Sequence, residues 1–116
     1  MKTHRDLEVW RASIDLARSV YDLTRQYPKE ELFGLVSQMR RASVSIASNI
    51  AEGAARNGNK EFMQFLYIAL GSASELDTQV EISRVIRICE EDHLQTLQKD
   101  ITRVRMLISG LIRSLK

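Results

Sequence analysis

The side chains best suited to chemistry gather in one stretch, RRASVSIASNIAEG at residues 40–53, where two arginines precede three serines, Asn49, Glu52 and Gly53. A nucleophilic serine needs an adjacent base and an orienting acid. Ser43, Ser45 and Ser48 have no histidine in their segment, and no Gly-x-Ser-x-Gly elbow occurs. A phosphate loop fails as well, because Gly53 to Gly58 lacks the Gly-Lys-Ser/Thr ending and no strand pattern precedes it. For a metal, His4 and His93 are the only histidines, and Cys89 with His93 is the only helix-spaced soft pair. A closed zinc site takes four ligands. Glu52, Glu75, Asp77 and Glu81 could bring carboxylates to a helical core, but the Glu-x-x-His pairs of di-iron bundles are absent. The chain therefore reads as non-enzymatic and without a cofactor.

The cations offer a second kind of chemistry. In the last quarter of the chain Lys99, Arg103, Arg105, Arg113 and Lys116 all fall off the apolar stripe, with Asp100 the only acid after the first helical turn. Contact with RNA or DNA phosphates requires little more than such a surface, although a solvated helix face has the same composition. Arg40 and Arg41 project about 100° apart on a helix, so they serve different roles. Arg40 is a further candidate for phosphate. Arg41 shares a polar flank with Ser45, Ser48 and Glu52, and its planar, multi-donor head suits a bond across a helix or subunit interface.

Four helical segments must position these groups. The first spans about residues 6–27, from Asp6 as an N-cap to the stop at Pro28. Leu7, Trp10, Ile14, Ala17 and Tyr21 line one face, and Val9, Leu16, Val20, Leu23 and Tyr27 form a second apolar strip. Glu8 and Arg11, Asp15 and Arg18, and Asp22 and Arg25 repeat every heptad as acid and base three apart, a ladder of weak pairs. The second segment, about 35–56, has Leu35, Met39, Ala42, Ile46, Ile50 and Gly53 as its core stripe. The third, about 60–88, carries Phe62, Phe65, Leu66, Ala69, Ala73, Leu76 and Val80 on one face and Ile68, Ile82 and Ile86 on a separate strip. Asn59 is placed to cap it. The fourth, about 92–115, opens on Asp92 and Gln95, spaced as a capping box, and its stripe is Leu97, Ile101, Val104, Ile108, Leu111 and Leu115. No strand-like alternation competes.

Four amphipathic helices with short connections predict an all-α, antiparallel up-down four-helix bundle, one domain over residues 1–116. At 44% apolar, 28% charged, five glycines and one proline, the composition is that of a folded, helix-rich protein. The 17 basic and 15 acidic residues are well mixed, and the net charge of +2 makes only a local basic face interesting. A single cysteine excludes an internal disulfide and suits a reducing compartment. The polar start, Met1 to Asp6, has no apolar run behind it, so a cytoplasmic protein is expected. The second strips on the first and third segments predict burial against neighbouring subunits, hence a homo-oligomer. Ala42, Ser43, Ala47, Ala51 and Gly53 would let helices approach closely, while Ser45, Asn49 and Glu52 satisfy buried polar groups.

QMRRASVSIASNIAEG at 38–53, with KEFMQFLYIALGSASELDTQ at 60–79, resembles the four-helix bundle family encoded in intervening sequences of bacterial 23S ribosomal RNA genes, also labelled S23 ribosomal protein-like. DLEVWRASIDLARSVYDLT at 6–24 and PKEELFGL at 28–35 extend the likeness over nearly the whole chain. Departures are mild: Ala47 stands where many members have proline, and a glycine-aromatic turn is replaced around Ile88 to Asp92. The resemblance implies a ring-like homopentamer without known enzymatic activity. A relative in the superfamily, the accessory protein of diversity-generating retroelements, is a basic pentamer that binds nucleic acid and partners a reverse transcriptase. By that analogy Arg40, Lys99, Arg103 and Arg113 are expected to contact RNA or DNA without reading sequence, while Arg41, Ser45, Ala47, Asn49, Glu52 and Gly53 serve packing and oligomerisation. The alternative expectation is a protein-interaction scaffold.

Overall fold

A computed structural model describes residues 3–116; Met1 and Lys2 of the polar start lie outside it. The described residues form four long helices and no strand: α1 Glu8–Thr24, α2 Ser37–Ala54, α3 Asn59–Val85 and α4 Glu91–Leu115. Each helix packs on the next and α1 closes against α4, in a body of 43 × 22 × 19 Å. Contacts across the α2–α3 and α3–α4 seams run in opposite sequence order. Arg41 meets Glu75 and Ser45 meets Ser72 between α2 and α3, and Asp77 meets Gln98 and Asn59 meets Leu115 between α3 and α4.

The core is one cluster fed by all four helices, with Met39, Ile46, Ile50, Leu66, Leu76, Ile101 and Ile108 fully buried. Fully burying each such side chain contributes about 1.5–3 kcal/mol. The α2 stripe is as expected, except that Leu35 is only partly buried. On α1 the two apolar strips exchange roles. Val9, Leu16, Val20, Leu23 and Tyr27 are the intrachain core, while Leu7, Trp10, Ala17 and Tyr21 are half-buried and Ile14 is exposed. Both strips have helical spacing, and only the direction of the neighbouring helices separates them. On α4, Leu94 and Ile112 join the core, and Leu111 and Leu115 slip to partial burial.

The helix starts differ from those read in the sequence. Thr3 accepts from the Arg5 N–H and the Asp6 carboxylate accepts from the Thr3 N–H, a capping box on the short 3-10 turn His4–Asp6 that precedes α1. Asp6 is thus the reciprocal partner of a cap one element earlier, and Leu7 holds the N-cap position of α1. Gly58, at φ 100°, holds that position for α3, because only glycine takes this left-handed backbone without strain. Asn59 instead donates its amide to the Leu115 carbonyl at 3.2 Å. The N-cap of α4 is Glu90, and the Asp92–Gln95 box does not form. The α1 ladder is only partly realised: Asp22 pairs with Arg25 and, at 4.0 Å, with Arg18, while Glu8 reaches α4 instead.

α1 ends at Thr24, four residues before the expected stop at Pro28, and a 3-10 turn (Lys29–Glu31) and a π-helical turn (Leu32–Val36) lead on to α2. At the same end of the bundle Tyr27 donates to Ser83 at 2.8 Å, and Ser83 donates to the Gln79 carbonyl at 2.9 Å. Burial pushes the Tyr27 phenol well above its ordinary value and also raises the Cys89 thiol 3.8 Å away, keeping both protonated at neutral pH. The α3–α4 turn closes with the Ile88 N–H on the Ser83 carbonyl and the Arg87 N–H on the Arg84 carbonyl. This is the helix-ending motif that normally employs glycine, here with Arg87 at φ 56°.

Candidate nucleic-acid interface

The cations singled out by the sequence divide into two groups. Arg40 lies between α1 and α2: its Nε donates to Thr24 Oγ1 at 2.9 Å and its guanidinium sits 4.6 Å from the Tyr21 ring centre. Arg103 pairs with Glu8 of α1 at 3.0 Å. Both are tied to the first helix. Lys99, Arg105, Arg113 and Lys116 are exposed on α4 and form no ion pair among the described residues.

Two shallow grooves flank α4's outer ridge. Thr102, Arg105, Met106, Ser109 and Arg113 line one of about 400 Å³, and Lys99, Thr102, Arg103, Met106 and Leu107 line another of about 450 Å³. Met106, 69% exposed, divides them. No carboxylate side chain occurs in α4 after Asp100, nor in α3 between Phe62 and Ser74. Along this face neither helix supplies an acid to pair with Arg105, Arg113 or Lys116, whereas Arg103 at its α1 edge is neutralised by Glu8. The groove between α1 and α4 is the opposite, with Asp22, Asp100 and His93 in its walls.

The second set of residues lies along the α2–α3 seam. Arg41 bridges to Glu75 at 2.9 Å, the Ser45 and Ser72 hydroxyls meet at 2.9 Å, and Asn49 donates to the Ser45 carbonyl at 2.8 Å. Ala47 is buried. A Cβ on Gly53 would stand 2.7 Å from the Phe65 Cβ and 3.2 Å from the Phe62 carbonyl oxygen, so glycine is what lets α3 come this close. Glu52 is exposed and pairs with Arg56 one turn on, rather than satisfying a buried group. Arg56 in turn lies 5.0 Å over the Phe65 ring. Among the described residues no three His, Cys, Asp or Glu side chains converge as metal ligands, and no helix is long and apolar enough to cross a membrane.

Residues 5–110 match the family model described as 23S rRNA-intervening sequence protein. The chain belongs to that family. The fold of this intervening-sequence protein is also that of a crystal structure, at 1.70 Å resolution, of a protein of unknown function from the S23 ribosomal protein family of Bacteroides thetaiotaomicron VPI-5482. The two share 23% identity with a TM-score of 0.83, over 90% of this chain and 97% of that one. No curated protein matches.

The sequence pattern did not point to Met106, 69% exposed among the cations of α4, or to Tyr67, 52% exposed on α3. Both fall off the apolar stripes, and periodicity gives such residues no role. The signal that could have found them is the absence of acids over residues 62–74 and 101–116.

Proposed function

We propose that this protein is a non-enzymatic, oligomeric helical module that holds RNA or DNA phosphates on the outer face of α4 without reading base sequence. The observation that carries this reading is the set Lys99, Arg105, Arg113 and Lys116, exposed and unpaired within the described chain, with no acidic side chain in α4 beyond Asp100. Lysine and arginine so placed act on phosphates as point charges and forks, with affinity set by counterion release. Ring-like homo-oligomerisation, a homopentamer by family likeness, would repeat one modest patch around an axis and convert it into a continuous basic track. The exposed Ile14, Val44, Ile68 and Ile82 supply apolar surface for that assembly. Light scattering at micromolar concentration tests it: a stable monomer contradicts the assembly. A gel shift with structured RNA or duplex DNA at about 50 mM salt, a permissive condition, tests the binding: no shift contradicts it.

A second reading, a scaffold for a protein partner, is favoured by the opposite end of the bundle. There Phe33 is 92% exposed in the α1–α2 connector and Val85 71% exposed at the end of α3. Large apolar side chains this exposed suit contact with another polypeptide. A pull-down from native lysate that recovers a specific protein through the Phe33 end, lost in Phe33→Ala, would support it; recovery of nucleic acid alone would count against it.

A further inference from the structure

The face proposed to bind phosphates also carries a feature that selects the form of nucleic acid, an inference that rests on that reading. Tyr67 is 52% exposed on α3. Three contacts fix the register of α3 against α4: Asn59 with Leu115 at 3.2 Å, Asp77 with Gln98 at 3.3 Å and Arg84 with Glu91 at 2.9 Å. Interpolating between them at about 1.5 Å rise per residue sets Tyr67 level with Leu107 and Ile108, within one turn of Arg105 and Ser109. Tyr67 also precedes Glu81 by two heptads, which leaves the two on nearly the same side of the helix. Glu81 meets Arg84, the arginine that clasps Glu91 of α4, so Tyr67 stands on the shoulder of α3 that borders α4.

This register sets Tyr67 on the shoulder of α3 at the level of Arg105, with Arg113 and Lys60 farther along the same side, all exposed and with no carboxylate in α3 from Phe62 to Ser74. A half-exposed aromatic ring bordered by unpaired cations is the equipment of single-strand binding: the ring stacks a base while the cations track the backbone. A duplex keeps its bases within its own stack and offers this surface only phosphates. We propose that Tyr67 is a stacking platform for one base of single-stranded RNA or DNA, with Arg105 and Arg113 on the adjoining phosphates, so that the protein prefers unpaired strands to duplex.

Fluorescence anisotropy with labelled oligo(dT), oligo(U) and a duplex of equal length, at low salt, tests this on the full chain. The wild type should bind both single strands more tightly than the duplex. Tyr67→Ala should weaken single-strand binding by about 5- to 100-fold, the usual worth of one stacked base. It should leave duplex binding and helical circular dichroism unchanged, while Tyr67→Phe, which keeps the ring, should bind as wild type. Oligo(dT) and oligo(U) should bind alike, because the ring face ignores the sugar; a large preference for one would contradict stacking as the source of selectivity. Unchanged single-strand affinity in Tyr67→Ala, with binding still lost in the combined Lys99→Gln, Arg105→Gln, Arg113→Gln variant, would overturn the stacking site and leave the basic face standing. Failure of the folded wild type to bind any of the three probes would overturn both.

Discussion

The α2–α3 seam and the outer face that α3 shares with α4 are made from similar residue types, serines, arginines and an occasional aromatic, yet they dispose of them differently. In the seam the polar groups find partners within the chain: Arg41 on Glu75, Ser45 on Ser72, Asn49 on Ser45, with Gly53 setting the distance between backbones. On the outer face Lys99, Arg105 and Arg113 have no such partners. A polar side chain satisfied at home reports on the fold, whereas a cluster of cations without anions reports on something outside the chain. Arg40 and Arg103 show how little the residue type decides, since both are arginines on faces that look basic in sequence and both are fastened to α1.

The contrast can be broken most severely at the seam. Gly53→Leu forces a side chain into Phe62 and Phe65, and it should lose about 3 kcal/mol or more, seen as a lowered midpoint in urea or an unfolded far-ultraviolet spectrum. Alanine there would ordinarily gain up to about 1 kcal/mol in helix propensity. The 2.7 Å contact reverses the sign, and Gly53→Ala should also destabilise. A stable, normally assembled Gly53→Leu protein would show that the seam does not need its close approach. On the outer face, the combined Lys99→Gln, Arg105→Gln, Arg113→Gln variant should keep its stability within about 0.5 kcal/mol per site, as exposed substitutions usually do. It should lose nucleic-acid affinity at least tenfold.

Smaller effects sharpen the same contrast. Ser45→Ala strands the Ser72 hydroxyl and should cost about 0.5–1.5 kcal/mol without changing binding. Arg87→Gly removes a side chain from a left-handed position and should stabilise by about 0.5–1 kcal/mol, measured by thermal unfolding. The smallest effect concerns acid. Hydrogen bonds from Arg84 hold the Glu91 carboxyl below its usual range. The resulting stabilisation is present above the unfolded carboxyl value of about 4.3 and is lost as the pH falls through the folded value. Glu91→Gln should therefore flatten the stability profile slightly below about pH 4 while changing binding not at all.

Helix number, the α2 stripe and the absence of strands were legible because period-3.6 patterning is strong in segments of this length. Which α1 strip faces inward was not legible, since Trp10, Ile14 and Tyr21 repeat as regularly as Leu16, Val20 and Leu23. Only the positions of α2 and α4 distinguish them. Caps failed for a related reason: Asn59 and Asp92 have the right side chains, but Gly58 takes the N-cap of α3 by its positive φ and Glu90 that of α4 by its extended backbone. At the candidate interface, the basic character of α4 could be read directly. The pairing of Arg103 with Glu8, 95 residues away, and the approach of Tyr67 to the same face depend on tertiary register that no local pattern encodes.

The salt dependence of nucleic-acid binding, compared between the wild type and the Lys99→Gln, Arg105→Gln, Arg113→Gln variant, bears most directly on the outer face as the interface. With about 0.7 of a counterion released per phosphate contact on a single strand, removing three contacts should flatten the slope of log affinity against log salt by about 2. It should also weaken binding at low salt. Equal affinity and an equal slope in the two proteins would contradict the assignment of phosphate binding to α4.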